Sequence, residues 1–397
     1  MNRKWLSYVP VTLAIAVALT LATIDAQLHP HFSAFSSDSL KQLSLLNHSY
    51  GMSMEDLSGT SDSPVMTQLY QADALLPLEQ ADPNALGLVA TLDGGESMLL
   101  IQPTTPLSPE ALAAAAADYA ASVPEFEHVE SDQILSLESP VFTWRLQGAA
   151  PELPPVELSS EVDSPVKVAV IDSGMDETHE IFASTTVQTG WNTVDDDDSM
   201  YDDVGHGTHI AGIIATYAPG VEIVPYKIVG ASGGKLSNVL EAYSKALDDD
   251  VDLINSSFGV PSPSYALEAL VSTAYAQGVL VVAAAGNNGA DTGFYPGHYA
   301  QTIAVASTDA TGHKLPSSNY GVWVDVAAYG YHVRSSLPHN EYGYKSGTSQ
   351  ATAIVSAAVA RLLMENPDLT FQEVLDALES GAEQIPDGTL AGTPIVQ

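Results

Sequence analysis

The stretch Pro165-Val-Lys-Val-Ala-Val-Ile-Asp172-Ser-Gly174 is a short apolar run, enriched in Val and Ile, that stops at a carboxylate and a glycine. A strand buried on both faces reads this way, because neither of its sides has to meet water. Residues 221–229, 251–254, 279–285 and 302–306 repeat the pattern, and stretches with helical spacing, 236–247 and 265–276, lie between them. Such alternation predicts an α/β fold: a three-layer sandwich with a mostly parallel central sheet covered by helices on both faces. Reacting groups in such a sheet belong at the carboxyl ends of strands, which is where Asp172 stands. Thr370 and Glu373 have the spacing of a capping box for a last helix.

Two further segments carry chemistry. Gly205-His206-Gly207-Thr208-His209 opens an apolar helical stretch reaching residue 215. Its glycines let the backbone come close and leave the imidazole of His206 accessible. Zinc held by two histidines on one helical face needs H-E-x-x-H, which is absent, so His209 reads as a packed, hydrogen-bonded side chain. Ser346-Gly-Thr-Ser349-Gln-Ala351 leads into residues 352–364, apolar all round and therefore a buried helix. Taken singly, each segment has a plain structural reading: an Asp that bonds turn amides, a Ser that caps a helix. Taken together they supply a nucleophile, a base and an orienting carboxylate. A hydroxyl is a poor nucleophile until an imidazole takes its proton, and the imidazole needs a carboxylate to hold its tautomer and offset its charge. The start of a helix, where Ser349 stands, also offers free amides to a developing oxyanion.

The three segments resemble the Asp, His and Ser signatures of the subtilisin-like serine protease (subtilase) family, in that family's order, and the resemblance covers about residues 165–385. It implies a secreted serine endopeptidase with Asp172, His206 and Ser349 as triad and no cofactor for catalysis. Val279-Leu-Val-Val-Ala-Ala-Ala-Gly-Asn-Asn-Gly289 resembles the segment whose Asn donates to the oxyanion, which implies that role for Asn287; a turn Asn between glycines is the alternative. Ser257-Phe258-Gly259 and residues 230–236, with Gly230, Gly233 and Gly234, resemble the two backbone segments that pair with an extended peptide substrate. Such strand addition reads main chain and tolerates many side chains. Tyr295-Pro296 resembles the family's cis-proline turn near the specificity pocket, and residues 318–328 the segment before the Ser loop. Gln350 stands where Met usually follows the nucleophile, and Tyr329 where Pro is usual. Asp195, Asp196, Asp197, Asp198, Asp202 and Asp203 precede His206, where calcium-binding members carry an acidic loop. That implies structural calcium held by Asp195, Asp196, Asp197, Asp198 and Asp202; a solvated acidic loop is the alternative.

Upstream, Arg3 and Lys4 precede an uncharged apolar stretch from Trp5 to Ile24, the order of an export signal. Residues 1–26 read as signal peptide or signal anchor, and only an uncleaved anchor would tie the chain to a membrane; the protein is expected outside the cytoplasm or in the cell envelope. Residues 27–80 read as a polar linker or loose pro-region. Residues 81–137 read as a small α+β propeptide domain: a strand at 97–102, a helix opened by Ser108, Pro109 and Glu110, and a strand-like run at 126–137. It resembles the second half of a subtilisin-type propeptide, implying an intramolecular inhibitor and self-cleavage near 135–140. Residues 138–397 then form the catalytic domain, expected to be a monomer that acts on proteins or peptides.

Composition removes other classes. With 49 acidic against 12 basic side chains and a formal net charge of -37, the chain has no electrostatic hold on nucleic acid or anionic lipid. It contains no cysteine, so disulfides and thiolate zinc sites are excluded. Gly347-Thr-Ser-Gln-Ala351 is not the G-x-S-x-G elbow of an α/β-hydrolase esterase, and residues 230–234 fit no phosphate-loop fingerprint. A pseudo-protease scaffold would have lost a triad residue, and none is missing.

Overall fold

The computed structural model describes residues 86–92, 97–101, 107–122, 126–135, 137, 165–380, 382–384 and 393–396. The signal segment 1–26 and the polar region 27–80 lie outside the described residues. The chain divides into two units between Gln133 and Ile134. This is upstream of the 137/138 boundary read from sequence, because Ile134 and Leu135 pair with residues of the second unit.

The first unit holds β1 (Leu88–Leu92), β2 (Ser97–Ile101), α1 (Pro109–Ser122) and β3 (His128–Ser131). Its sheet runs β2-β1-β3, antiparallel throughout, and α1 packs on β3. The Ser108 hydroxyl accepts from the Ala111 amide at 3.3 Å, so the expected cap is formed. The sequence reading found strand, helix and strand but missed β1, which is the central strand, with Leu88, Val89 and Ala90 wholly buried. Its five residues are too short a run to announce themselves, and pairing on both edges is what makes them a strand.

In the second unit, β4 (Lys167–Asp172), β5 (Thr186–Val187), β6 (Trp191–Asn192), α2 (Gly207–Tyr217), β7 (Glu222–Lys227), β8 (Val229–Gly230), β9 (Gly233–Gly234), α3 (Leu236–Asp248), β10 (Leu253–Ser256), α4 (Tyr265–Ala276), β11 (Leu280–Ala284), β12 (Ile303–Thr308), β13 (Val326–Tyr329), β14 (Val333–Leu337), β15 (Glu341–Lys345), α5 (Thr348–Glu365), α6 (Phe371–Glu379), β16 (Glu383–Gln384) and β17 (Pro394–Val396) follow in turn. The main sheet runs β16-β17-β13-β12-β11-β10-β4-β7-β5, with β6 also on β7. Every pairing in it is parallel except β16 with β17. The apolar run at 221–229, expected as one strand, divides: β7 stays in the sheet, and β8 turns away to pair with β9.

Side-chain alternation sends successive strand residues to opposite faces. Val168, Val170, Leu253, Val282 and Val305 meet α2 and α5 in one core. On the other face Ser256 reaches Tyr243 of α3, whose hydroxyl lies 2.7 Å from its own. Burying each Leu, Ile or Val in these layers contributes about 1.5–3 kcal/mol. The groups that carry the chemistry thereby sit at the ends of β4, α2 and α5, and α2 packs on both of the others. The Thr370 hydroxyl and Glu373 carboxylate cap α6 reciprocally, as their spacing predicts.

Candidate active site

Asp172 ends β4, where the chain turns through Gly174 at φ 101°, a backbone angle that side chains other than glycine rarely tolerate. The Asp172 Oδ1 atom accepts from the Ser173 amide at 2.8 Å and lies 2.7 Å from Nδ1 of His206. His206 precedes the first turn of α2, and Gly207 beside it packs against the Gly174 carbonyl so closely that an added Cβ would lie 2.1 Å from that oxygen. Asp172 and His206 are both only 1% exposed. The short contact makes Nδ1 the protonated nitrogen and leaves Nε2 as the basic one; Nε2 is buried and has no hydrogen-bond partner.

Asp202 holds this arrangement together, and nothing in its local sequence reveals that role. One of its oxygens accepts from the Ser173 hydroxyl at 2.8 Å and the Gly205 amide at 2.7 Å, the other from the Thr208 amide and hydroxyl at 2.8 and 2.6 Å. The Ser173 hydroxyl in turn accepts from the Gly207 amide at 2.9 Å. A buried carboxylate at the positive end of α2 thus ties the turn after Asp172 to the segment that carries His206. Asp202, read from the sequence as one of the calcium ligands, here spends both its oxygens on the protein's own donors. Two others of the expected set are bonded within their loop: the Asn192 side-chain NH2 donates to Asp195 and Asp197, each at 3.0 Å. Among the described residues no three carboxylate or imidazole side chains are gathered as a metal ion would need.

Ser349 is the second residue of α5, after a cap supplied by Gly347, so it does not serve as the cap itself. Its hydroxyl donates to the Ser257 carbonyl at 3.1 Å, and the Ser257 hydroxyl donates to the Ser349 carbonyl at 3.1 Å. Asn255 extends the lock: its side chain donates to the Ser257 hydroxyl at 3.0 Å and accepts from Ser356 of α5 at 2.9 Å. The start of α5 is thereby fixed to the end of β10. Asn287, just beyond β11, accepts from the Thr348 amide at 2.9 Å through Oδ1, which orients its side chain beside Ser349.

The predicted substrate segments divide into backbone and core. Phe258 is 1% exposed, so only main chain is left to meet a peptide there. At the other edge Leu135 donates its amide to the Gly234 carbonyl at 2.9 Å, and Ile134 forms an antiparallel bridge with Lys235. Gly230 and Gly233 pair with each other in the small β8–β9 ribbon. The Tyr295–Pro296 peptide bond is cis.

Of the buried residues around the site, His209 and Gln350 were singled out in the sequence and Lys345 gave no signal there. Lys345, at the end of β15, is 6% exposed; burial pulls its ammonium pKa down, while the carboxylates of Asp202 and Asp172 pull it up. His209 is wholly buried with Nε2 3.2 Å from the Val333 carbonyl, and burial holds its imidazole well below the usual range, neutral and packed. Gln350 is wholly buried with neither end of its amide hydrogen-bonded, although it adjoins Ser349.

Comparison with known proteins fits this geometry. The subtilase family model matches residues 163–392. Over 300 residues, 73% of the chain and 76% of the relative, the sequence is 33% identical to an alkaline protease of Alkalihalobacillus alcalophilus. Over 243 residues, 59% of the chain and 89% of the relative, it is 37% identical to Subtilisin Savinase of Lederbergia lenta. The crystal structure of a cold adapted subtilisin-like serine proteinase superposes with a TM-score of 0.55 at 30% identity, covering 58% of this chain and 88% of that one. The chain belongs to the subtilase family and is a subtilisin-like serine protease.

Proposed function

We propose that this protease is an exported, self-processing endopeptidase that cleaves through a Ser349 acyl-enzyme, with His206 as general base, Asp172 as its orienting carboxylate and Asn287 as oxyanion donor. The observation that carries the assignment is the buried 2.7 Å contact between His206 Nδ1 and Asp172 Oδ1, which commits Nε2 to accepting a proton. On substrate binding the Ser349 hydroxyl exchanges its bond to the Ser257 carbonyl for one to Nε2. As Oγ attacks the scissile carbonyl, its proton passes to Nε2, and Asp172 stabilises the imidazolium that forms. Charge that develops on the carbonyl oxygen is met by the Asn287 side-chain NH2 and by the amide of Ser349 in the first turn of α5. His206 then returns the proton to the leaving amine, and water, activated the same way, releases the acyl group.

The pairing of Leu135 with Gly234 supports the zymogen reading. Chain just upstream of the expected processing region lies antiparallel to the segment read as a substrate edge, which is how a peptide about to be cut, or just cut, would lie. The export signal lies outside the described residues; among those described, no helix is long and apolar enough to cross a membrane.

Labelling with a fluorophosphonate probe tests the chemistry: wild type is expected to label, and Ser349→Ala to lose both the label and casein hydrolysis. Retained hydrolysis in that variant would defeat the proposal. N-terminal sequencing of the active protein is expected to begin within or just after residues 135–140, and an active chain still carrying residues 80–135 would exclude processing.

A further inference from the structure

The structure assigns Phe294 as the residue that restricts which side chain this protease accepts on the acyl side of the scissile bond, limiting that position to Gly, Ala or Ser. The inference rests on the site proposed above. A carbonyl under attack must sit between Ser349 Oγ, 3.1 Å from the Ser257 carbonyl, and the side chain of Asn287. In the reading proposed above its residue would pair alongside Ser257 to Gly259, and a side chain on the inner face of that pairing would enter the gap between that segment and Gly286. These two segments continue β10 and β11, parallel neighbours in the sheet, so the gap between them is a slot with main-chain walls.

Both walls are glycine: Gly259 faces Phe294, and Gly286 faces Phe294 together with Nδ2 of Asn319, 2.5 Å from where its Cβ would lie. A Cβ on Gly259 would lie 2.4 Å from Phe294 Cε1 and 2.6 Å from Cζ; a Cβ on Gly286 would lie 3.0 Å from Cγ. The ring therefore crosses the slot with its root at Gly286 and its tip at Gly259, and it is 3% exposed. Its backbone is pinned alongside: the Val260 amide donates to the Tyr295 carbonyl at 2.9 Å, and the Tyr295 amide to the Val260 carbonyl at 3.0 Å. Space that two glycine walls would offer a large apolar side chain is taken by the protein's own benzyl group. Packing in such interiors leaves no room for a second ring without displacing the first.

The test uses mature enzyme and succinyl-Ala-Ala-Pro-X p-nitroanilides with X as Ala or Phe, with active sites counted by fluorophosphonate titration. Wild type is expected to favour Ala over Phe in kcat/KM by at least about tenfold. Phe294→Gly is expected to reverse that preference while still cleaving the Ala substrate. Phe294→Ala, a smaller disturbance, is expected to shift it the same way. Titratable wild-type enzyme that cleaves the Phe substrate as well as the Ala substrate would overturn the assignment without any variant. So would a titratable variant with an unchanged ratio. A wild type that neither titrates nor cleaves either peptide would instead remove the catalytic reading on which the assignment rests.

Discussion

Nδ1 of His206 and Oδ1 of Asp172 lie 2.7 Å apart, in surroundings that leave each residue only 1% exposed. The contact fixes which imidazole nitrogen is basic. Asp172→Asn keeps the shape but presents an NH2 or a neutral oxygen to the ring, so the tautomer is no longer imposed. Its kcat is expected to fall by about 10⁴-fold, with the fold intact by circular dichroism; a loss of less than tenfold would remove Asp172 from the triad.

Asn287 is oriented by accepting from the Thr348 amide at 2.9 Å, and its NH2 is the group proposed to meet the oxyanion. Asn287→Ala is expected to lower kcat by about 10²–10³-fold with little change in KM, because the interaction is made in the transition state. An effect confined to KM would mean that Asn287 binds substrate and does not stabilise charge.

The Asp202 carboxylate ties Ser173 and Gly205 to Thr208. Asp202→Asn turns one acceptor into a donor among donors. Urea unfolding is expected to register a loss of about 2–4 kcal/mol, since amides and hydroxyls are left buried without a partner. The same variant is expected to lower kcat, because the segment carrying His206 loses its tie. Unchanged stability would mean that the network is redundant.

Gln350 is buried with an unbonded amide beside Ser349, the proposed nucleophile, and leaving such a group unpaired costs about 1–3 kcal/mol. Gln350→Met, close in length and without the polar end, is expected to raise stability by a similar amount and to leave kcat nearly unchanged. A destabilised Met variant would show that the amide is satisfied in solution.

Asp325 has its carboxyl pKa raised from 3.8 to about 6, by burial first and by the charge of Glu379, against the Ala304 amide that donates to it at 2.8 Å. A raised carboxyl pKa means that the folded state holds a proton the unfolded state has released. Its contribution is therefore present at low pH and is lost as pH rises from about 4 to about 6. Asp325→Asn is expected to flatten this part of the stability curve and to be more stable than wild type at pH 7 by about 3 kcal/mol. Difference curves that run parallel across the window would contradict the shift.

The sheet and the residue types of the proposed triad were legible in the chain because both are local. Buried parallel strands show as apolar runs, as at 166–171 and 279–285, and the groups around Asp172, His206 and Ser349 are short motifs with glycines in fixed places. The helix at Tyr265–Ala276 was read to the residue, and the one at Leu236–Asp248 to within one. The hairpin of β14 and β15 was not foreseen, since its residues, Val-Arg-Ser-Ser-Leu and Glu-Tyr-Gly-Tyr-Lys, show no continuous apolar pattern. Its strand character comes from pairing with each other and from β14 packing on α2.

Sequence alone determined the family and the chemistry available, because residue type and spacing carry both. What the tertiary structure decided is which carboxylate does what and how much room is left. Asp172 and Asp202 are both acidic residues near glycines, yet one meets an imidazole and the other gathers amides and hydroxyls. Phe294 gives no sign in the chain that it lies between Gly259 and Gly286, which stand 35 and 8 positions before it in the numbering. Contacts between distant segments depend on how strands and helices pack, and that information exists only once the whole sheet has formed.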